Sequence, residues 1–238
     1  MRPSSTPFVK ICGLSRLADL RAAERLGAAY VGLIVEVGRS PRSVTRHQAR
    51  LLARAARALP VMVTTCEDPD RIAELARFVQ PGVVQLHSFR PGLLRSVAGL
   101  APNIECWQVV SVEAEEGFDP AAPRALLGEA IAAGADKVLL DASRGGESGG
   151  TGLTLDWDLA ASLVAAAGDT PVILAGGLDP GNVGEAIRRV RPAGVDVSSG
   201  VEVAGNTKSL ALIRSFFQAV GEVTAGEGTA KTDATHLG

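Results

Sequence analysis

Aromatic side chains are scarce: six Phe, two Trp and one Tyr in 238 residues. That is too few for rows of base-stacking platforms. Histidine is scarcer, and His47, His87 and His236 are scattered with no HxxH or HxH spacing. No metal centre is expected from such a set. A basic excess is also missing. The formal net charge is −2, so neither nucleic acid nor an anionic membrane is an expected partner. No apolar run approaches the ~18 residues of a membrane span. The opening residues 1–7 lack the apolar stretch of a secretory leader. The three cysteines, Cys12, Cys66 and Cys106, are an odd number. They suit free thiols in a reducing cytoplasm rather than a disulfide framework. There is no Walker A motif, and no GxGxxG follows the first strand candidate.

What the chain has is hydrophobic residues, 46% of the total, arranged as short Val/Ile/Leu runs alternating with Ala/Leu/Arg/Glu segments. Eight runs stand out: Phe8–Cys12, Tyr30–Glu36, Val61–Cys66, Val83–His87, Ile104–Val112, Lys137–Ala142, Val172–Gly177 and Val195–Ser199. Most are continuously apolar, as strands covered on both faces are. Between them lie helical segments. Ser15 is placed to cap the first, which Gly27 stops. Thr45 and Gln48 have capping-box spacing, and Pro60 ends that segment. Pro69 starts a helix to about Val79. Further helices are expected near 91–99, 121–133, 156–167, 181–190 and 207–220.

Strand–helix alternation throughout implies right-handed crossovers. Eight of each in about 215 residues is the count of a compact α/β fold, a single (β/α)8 TIM barrel. An open doubly wound sheet has fewer strands and a Gly-rich first turn, and no linker suggests two domains. The expected organisation is an N-terminal extension over 1–7, a barrel over 8–220, and a mobile tail over 221–238 that is poor in large apolar residues.

In this fold the site forms at the C-terminal ends of the strands. Strands 7 and 8 end in Ala175-Gly176-Gly177 and Ser198-Ser199-Gly200. Loops in those places often cradle phosphate with exposed backbone N–H groups; the plainer alternative is tight βα turns. After strand 6 comes a Gly-rich loop, Arg144 to Gly152, with the composition of a lid or of a loose connection. Cys12 and Asp141 end strands 1 and 6. A thiolate can remove a proton and a carboxylic acid can donate one. A base role for Cys12 needs a local positive influence, and an acid role for Asp141 needs desolvation. On composition alone, the plainer reading of Cys12 is a small buried core residue. Asp196 is a contact to a ligand or a loop anchor. Lys10 shares strand parity with Cys12 and is either an ion-pair partner or a source of positive potential. Thr64-Thr65-Cys66 is a neutral strand end that shapes a pocket.

The motifs Val9-Lys10-Ile11-Cys12-Gly13-Leu14, Ser40-Pro41-Arg42, Gln85-Leu86-His87, Gly149-Gly150-Thr151-Gly152, Leu174-Ala175-Gly176-Gly177-Leu178-Asp179-Pro180 and Asp196-Val197-Ser198-Ser199-Gly200-Val201-Glu202 follow one another in order. Together the sequence resembles the phosphoribosylanthranilate isomerase family of tryptophan biosynthesis over nearly all of 8–217. The resemblance implies a cofactor-free Amadori rearrangement of a phosphorylated small molecule by a monomer or homodimer. It implies Cys12 as general base and Asp141 as general acid, with Arg42 meeting the anthranilate carboxylate. Gln85, His87 and Asp196 fall on the substrate side, and Gly176, Gly177, Ser199 and Gly200 on the phosphate. The chain departs from familiar members at Val35 to Arg39, with an extra residue, at Thr64 and Thr65, and at Ser88. Rival expectations are the same chemistry on a related phosphoribosylamine, or a non-catalytic barrel that binds a phosphorylated ligand or a partner enzyme. Metal-dependent epimerases and Schiff-base aldolases need strand-end histidines or a lysine not seen here.

Overall fold

The computed structural model describes residues 6–113, 119, 121–144, 147–148, 156–204 and 206–230. The elements run β1 (Phe8–Ile11), α1 (Leu17–Arg25), β2 (Tyr30–Ile34), α2 (Arg46–Ala55), β3 (Leu59–Thr64), α3 (Pro69–Val79), β4 (Val83–Leu86) and α4 (Leu93–Leu100). They continue β5 (Glu105–Glu113), α5 (Ala121–Ala132), β6 (Lys137–Arg144), α6 (Trp157–Ala166), β7 (Val172–Leu174), α7 (Val183–Val190), β8 (Gly194–Val197) and α8 (Leu210–Ala230). Each of these strands pairs in parallel with the next, and β8 returns to β1 with Lys10 opposite Asp196. The sheet is a closed (β/α)8 barrel.

Period-2 alternation in the strands divides the chain's apolar side chains between two cores. On β1, Val9 and Ile11 join the large cluster beneath the helices, while Cys12 joins Val61, Val63, Val83, Trp107, Val109, Leu139, Ile173 and Ala175 inside the barrel. Burying each such side chain is worth roughly 1.5–3 kcal/mol. Aromatics fill part of the interior: Phe8 meets Tyr30 edge-on at 5.0 Å, and Tyr30 meets Trp107 at 4.8 Å. Lys137 lies over the Trp107 ring at 5.1 Å and pairs with Glu105 at 2.7 Å. Gly194 makes this packing possible, because a Cβ there would strike the Phe8 ring.

The capping box at Thr45 and Gln48 forms, and Pro69 opens α3 behind its Asp68 cap. Ser15 does not cap α1. Arg16 holds that position without a side-chain bond, and Arg16 instead forks onto Asp19. Pro60 does not end α2, which stops at Ala55. It is the second residue of β3, ahead of the point where the β3–β4 pairing starts at Val61 and Val83, an end position where its missing N–H is tolerated. The last helix continues past residue 220 to Ala230, held in part by Val220 and Val223, both buried. Residues 231–238 and 1–5 lie outside the described residues, as do all five glycines of the loop after β6 on which the lid reading rests. Glu147–Ser148 pairs antiparallel with the end of β6. Among the described residues no helix is long and apolar enough to cross a membrane.

Candidate active site

The strand ends open into one cavity of about 930 Å³, of the size that ligand pockets commonly have. It is lined by Cys12, Arg42, Gln85, His87, Asp141, Gly176, Gly177, Asp196 and Ser199, candidates that the sequence spreads over separate segments. Gly200 is not in the lining. It packs beneath Leu178, whose carbonyl oxygen would meet any Cβ placed there. Gly200 thus lets the β8 and β7 loops touch.

Cys12 follows β1 and is held by backbone bonds. Its N–H donates to Val197 O at 2.9 Å, and Ser198 Oγ donates to its carbonyl at 3.3 Å. Gly32 on the neighbouring strand leaves room for the sulfur, since a Cβ there would sit 2.8 Å from Sγ. Burial is the largest influence on the thiol and raises its pKa above the ordinary 9.0. Lys10 opposes that rise by charge and by a hydrogen bond, Lys208 opposes it by charge, and Asp196 adds to it.

Lys10 is fully buried, and its Nζ donates to Asp196 Oδ2 at 2.8 Å. Both alternatives raised for Lys10 therefore hold. It is an ion-pair partner and a positive neighbour of the thiol. Asp196 accepts no backbone bond among the described residues, as a loop anchor would: its one bonded oxygen serves Lys10, and Oδ1 has no partner there. Gln85 Oε1 is likewise buried without a partner there. Two acceptors left unmet in a wall that lines a cavity suit a ligand rich in hydroxyl donors.

Asp141 projects from β6, with Ser111 as its register partner on β5. Burial, then the Asp196 charge, pushes its pKa up to about 7 against a weaker pull from Lys10. A carboxyl that keeps its proton near neutrality can act as an acid. Burial, helped by Lys10, pushes His87 down to about 4, so it faces the cavity as a neutral imidazole.

The β7–α7 loop is shaped by its own side chains. Asn182 Nδ2 donates to Gly177 O at 2.8 Å, and Asp179 Oδ1 accepts from the N–H groups of Gly181 and Asn182 at 2.7 and 3.0 Å. Gly176 and Gly177 have φ of +82° and +65°, a region that glycine enters without strain. A Cβ on Gly176 would collide with the Ala142 backbone. Gly176 thus brings the loop close to β6.

Arg42 lies in the β2–α2 loop and crosses above Gly13, whose hypothetical Cβ would fall 2.6 Å from Arg42 Cδ. Sequence reading missed its partners. Glu202 takes a fork from Arg42, Nε–Oε1 at 2.8 Å and Nη2–Oε2 at 2.7 Å, and Lys208 Nζ reaches Glu202 Oε1 at 2.6 Å. Glu202 ends the Asp196–Glu202 motif, but nothing local marks Lys208, which meets it only through a two-residue antiparallel ladder. The departures at Val37, Gly38, Arg39, Thr65 and Ser88 all line the cavity. Glu36 turns outward at φ +53° to pair with Arg46 and Arg71.

The family model described as N-(5'-phosphoribosyl)anthranilate (PRA) isomerase matches residues 9–219. A protein of Haloferax volcanii named N-(5'-phosphoribosyl)anthranilate isomerase is 40% identical over 215 residues, covering 89% of this chain and 91% of its own. The phosphoribosyl anthranilate isomerase structure from Thermotoga maritima superposes with a TM-score of 0.78 at 31% identity, covering 91% of this chain and 99% of that one. Another such isomerase, solved in complex with reduced 1-(o-carboxyphenylamino)-1-deoxyribulose 5-phosphate, gives 0.75 at 28% identity, again covering 91% and 99%.

Proposed function

The chain belongs to the N-(5'-phosphoribosyl)anthranilate isomerase family, and from that premise we propose how its residues divide the work. It is an isomerase of tryptophan biosynthesis, converting N-(5'-phosphoribosyl)anthranilate to 1-(o-carboxyphenylamino)-1-deoxyribulose 5-phosphate. Asp141 gives its proton to the furanose ring oxygen as the C1–O bond breaks, leaving an iminium between C1 and the nitrogen. The cation acidifies the C2–H bond. Cys12, as thiolate, takes that proton, and the bonding pair forms C1=C2 while the iminium electrons return to nitrogen. The enolamine then tautomerises to the ketone. The substrate's own nitrogen is the electron sink.

Arg42 offers a planar fork to the anthranilate carboxylate. Gln85 Oε1 and Asp196 Oδ1 accept from sugar hydroxyls, neutral His87 lies beside them on the substrate side, and Gly176, Gly177, Ser199 and Gly200 form the phosphate end. The partner is a phosphorylated small molecule, met in the cytoplasm by a monomer or homodimer. The single observation that supports this reading best is that a buried carboxyl with a pKa near neutrality and a thiol beside an ammonium, contributed by β6 and β1, line one cavity. Purified protein should extinguish the anthranilate fluorescence of the substrate as it turns over. Tight binding of a phosphorylated ligand with no turnover would instead identify a binding barrel.

A further inference from the structure

Glu202 is an acid placed where an anionic substrate group is to be bound, and its surroundings explain how that is tolerated. Its side chain is 6% exposed, that of Arg42 14% and that of Lys208 1%. Both carboxylate oxygens are taken by charged donors, and the two cations hold its pKa below the ordinary value despite burial. It therefore stays anionic. Arg42 and Glu202 alone would sum to zero charge and attract no anion. Lys208, opposite Glu202 in the short ladder, returns one net positive charge. Lys208 is anchored in turn by Ser198 O at 3.0 Å.

The geometry of the fork decides what remains of Arg42. Glu202 occupies the Nε/Nη2 edge. Nη1 has no acceptor among the described residues, so the Nη1/Nη2 edge is left for a second carboxylate. A guanidinium held by one edge also loses less freedom when the other edge binds. Arg42 and Lys208 both sense the charge on Cys12, so the cluster lies near enough to the base to register a ligand against it.

We propose that Glu202 is a positioning residue for recognition of the substrate's carboxylate: it grips Arg42 by one edge and presents the other, while Lys208 keeps the cluster one charge positive. This inference rests on the assignment of Arg42 to the anthranilate carboxylate. It gives the chain a specificity device built from the β8 loop rather than from Arg42 alone.

Two stable ligands separate a device for the carboxylate from a merely structural role. One is reduced 1-(o-carboxyphenylamino)-1-deoxyribulose 5-phosphate, and the other is the same compound without the carboxyl group. Both are titrated calorimetrically into wild type, Lys208→Met, Glu202→Gln and Arg42→Ala. Lys208→Met is expected to weaken the carboxylated ligand about 10-fold or more, the scale of a lost charge-assisted contact, and to leave the other unchanged. Glu202→Gln, nearly isosteric, is expected to weaken the same ligand selectively and to raise KM more than it lowers kcat. Charge alone predicts the opposite sign, since that substitution makes the cluster more positive. Tighter binding of the carboxylated ligand by Glu202→Gln would overturn the proposal, as would equal losses on both ligands. Should Lys208→Met fail to fold, the Glu202→Gln pair of titrations decides. If Arg42→Ala itself weakens both ligands equally, the carboxylate assignment of Arg42 fails first. If Arg42→Ala is selective and the other two are not, only the present inference fails.

Discussion

Lys10 and Asp196 are register partners across the β8–β1 seam, and their side chains close a 2.8 Å ion pair inside the barrel. The pair acts on the two reactive groups in opposite directions. At Cys12 the ammonium outweighs the carboxylate, and at Asp141 the carboxylate outweighs the ammonium. One buried pair thus favours a thiolate on one side and a carboxylic acid on the other. Replacing Asp196 with Asn strands Lys10 without its counter-charge, which should cost about 3–5 kcal/mol. Urea unfolding at neutral pH measures it. A variant as stable as wild type would mean that the pair is not holding the seam.

The same charges set the pH dependence. Turnover needs Asp141 protonated and Cys12 ionised. Asp141 titrates at about 7 and Cys12 above 9.0, so the active protonation state is a minority form. The wild-type rate should rise with pH up to about 7, stay level until Cys12 titrates, and then fall. Below 7 thiolate accumulates while the acid is intact; above 7 each gain in thiolate is offset by loss of the acid. In Asp141→Asn the residual rate should keep climbing through the level region. A level region retained in that variant would assign the lower limb to another group.

Asp141 also trades stability for function. Its carboxyl binds a proton more tightly when folded than the ordinary value of 3.8 allows. Stability therefore falls as pH rises from about 4 to about 7 and is constant above. Asp141→Asn should be more stable than wild type by roughly 1–4 kcal/mol at pH 8, with the difference vanishing near pH 4. Thermal or chemical unfolding at the two pH values checks it, and equal stability at both would contradict the burial of a reluctant charge.

At the phosphate end, Gly176→Ala must either lose its positive φ or push against the Ala142 backbone. A loss of about 1–3 kcal/mol in stability is expected, together with weaker binding of inorganic phosphate by titration. Unchanged phosphate affinity would detach this loop from the anion.

Most of the barrel was legible because strands buried on both faces read as unbroken apolar runs, and the eight runs sit on the eight barrel strands. Cys12, Asp141 and Asp196 were legible because strand-end polar residues stand out against such runs. Helix ends were less so. Arg16 rather than Ser15 caps α1 by backbone geometry that composition does not encode. The tail of α8 was obscured by its glycines, although Val223 still finds the core. The Glu202–Lys208 contact was invisible because residues without local periodicity meet only once the β8 loop folds back. Gly200 reads in the sequence as a phosphate contact; its close packing against Leu178 is a further role that composition does not reveal.

The central claim is that the Cys12 sulfur and the Asp141 carboxyl act on the same sugar. Single-turnover loss of anthranilate fluorescence, followed in Cys12→Ala, Asp141→Asn and the double variant, tests it most directly. Each single substitution should slow turnover by roughly 10²–10⁴-fold while the reduced product analogue still binds. The double variant should fall no further than the worse single, as groups acting as a unit do. Turnover near the wild-type rate in either single variant would contradict the claim.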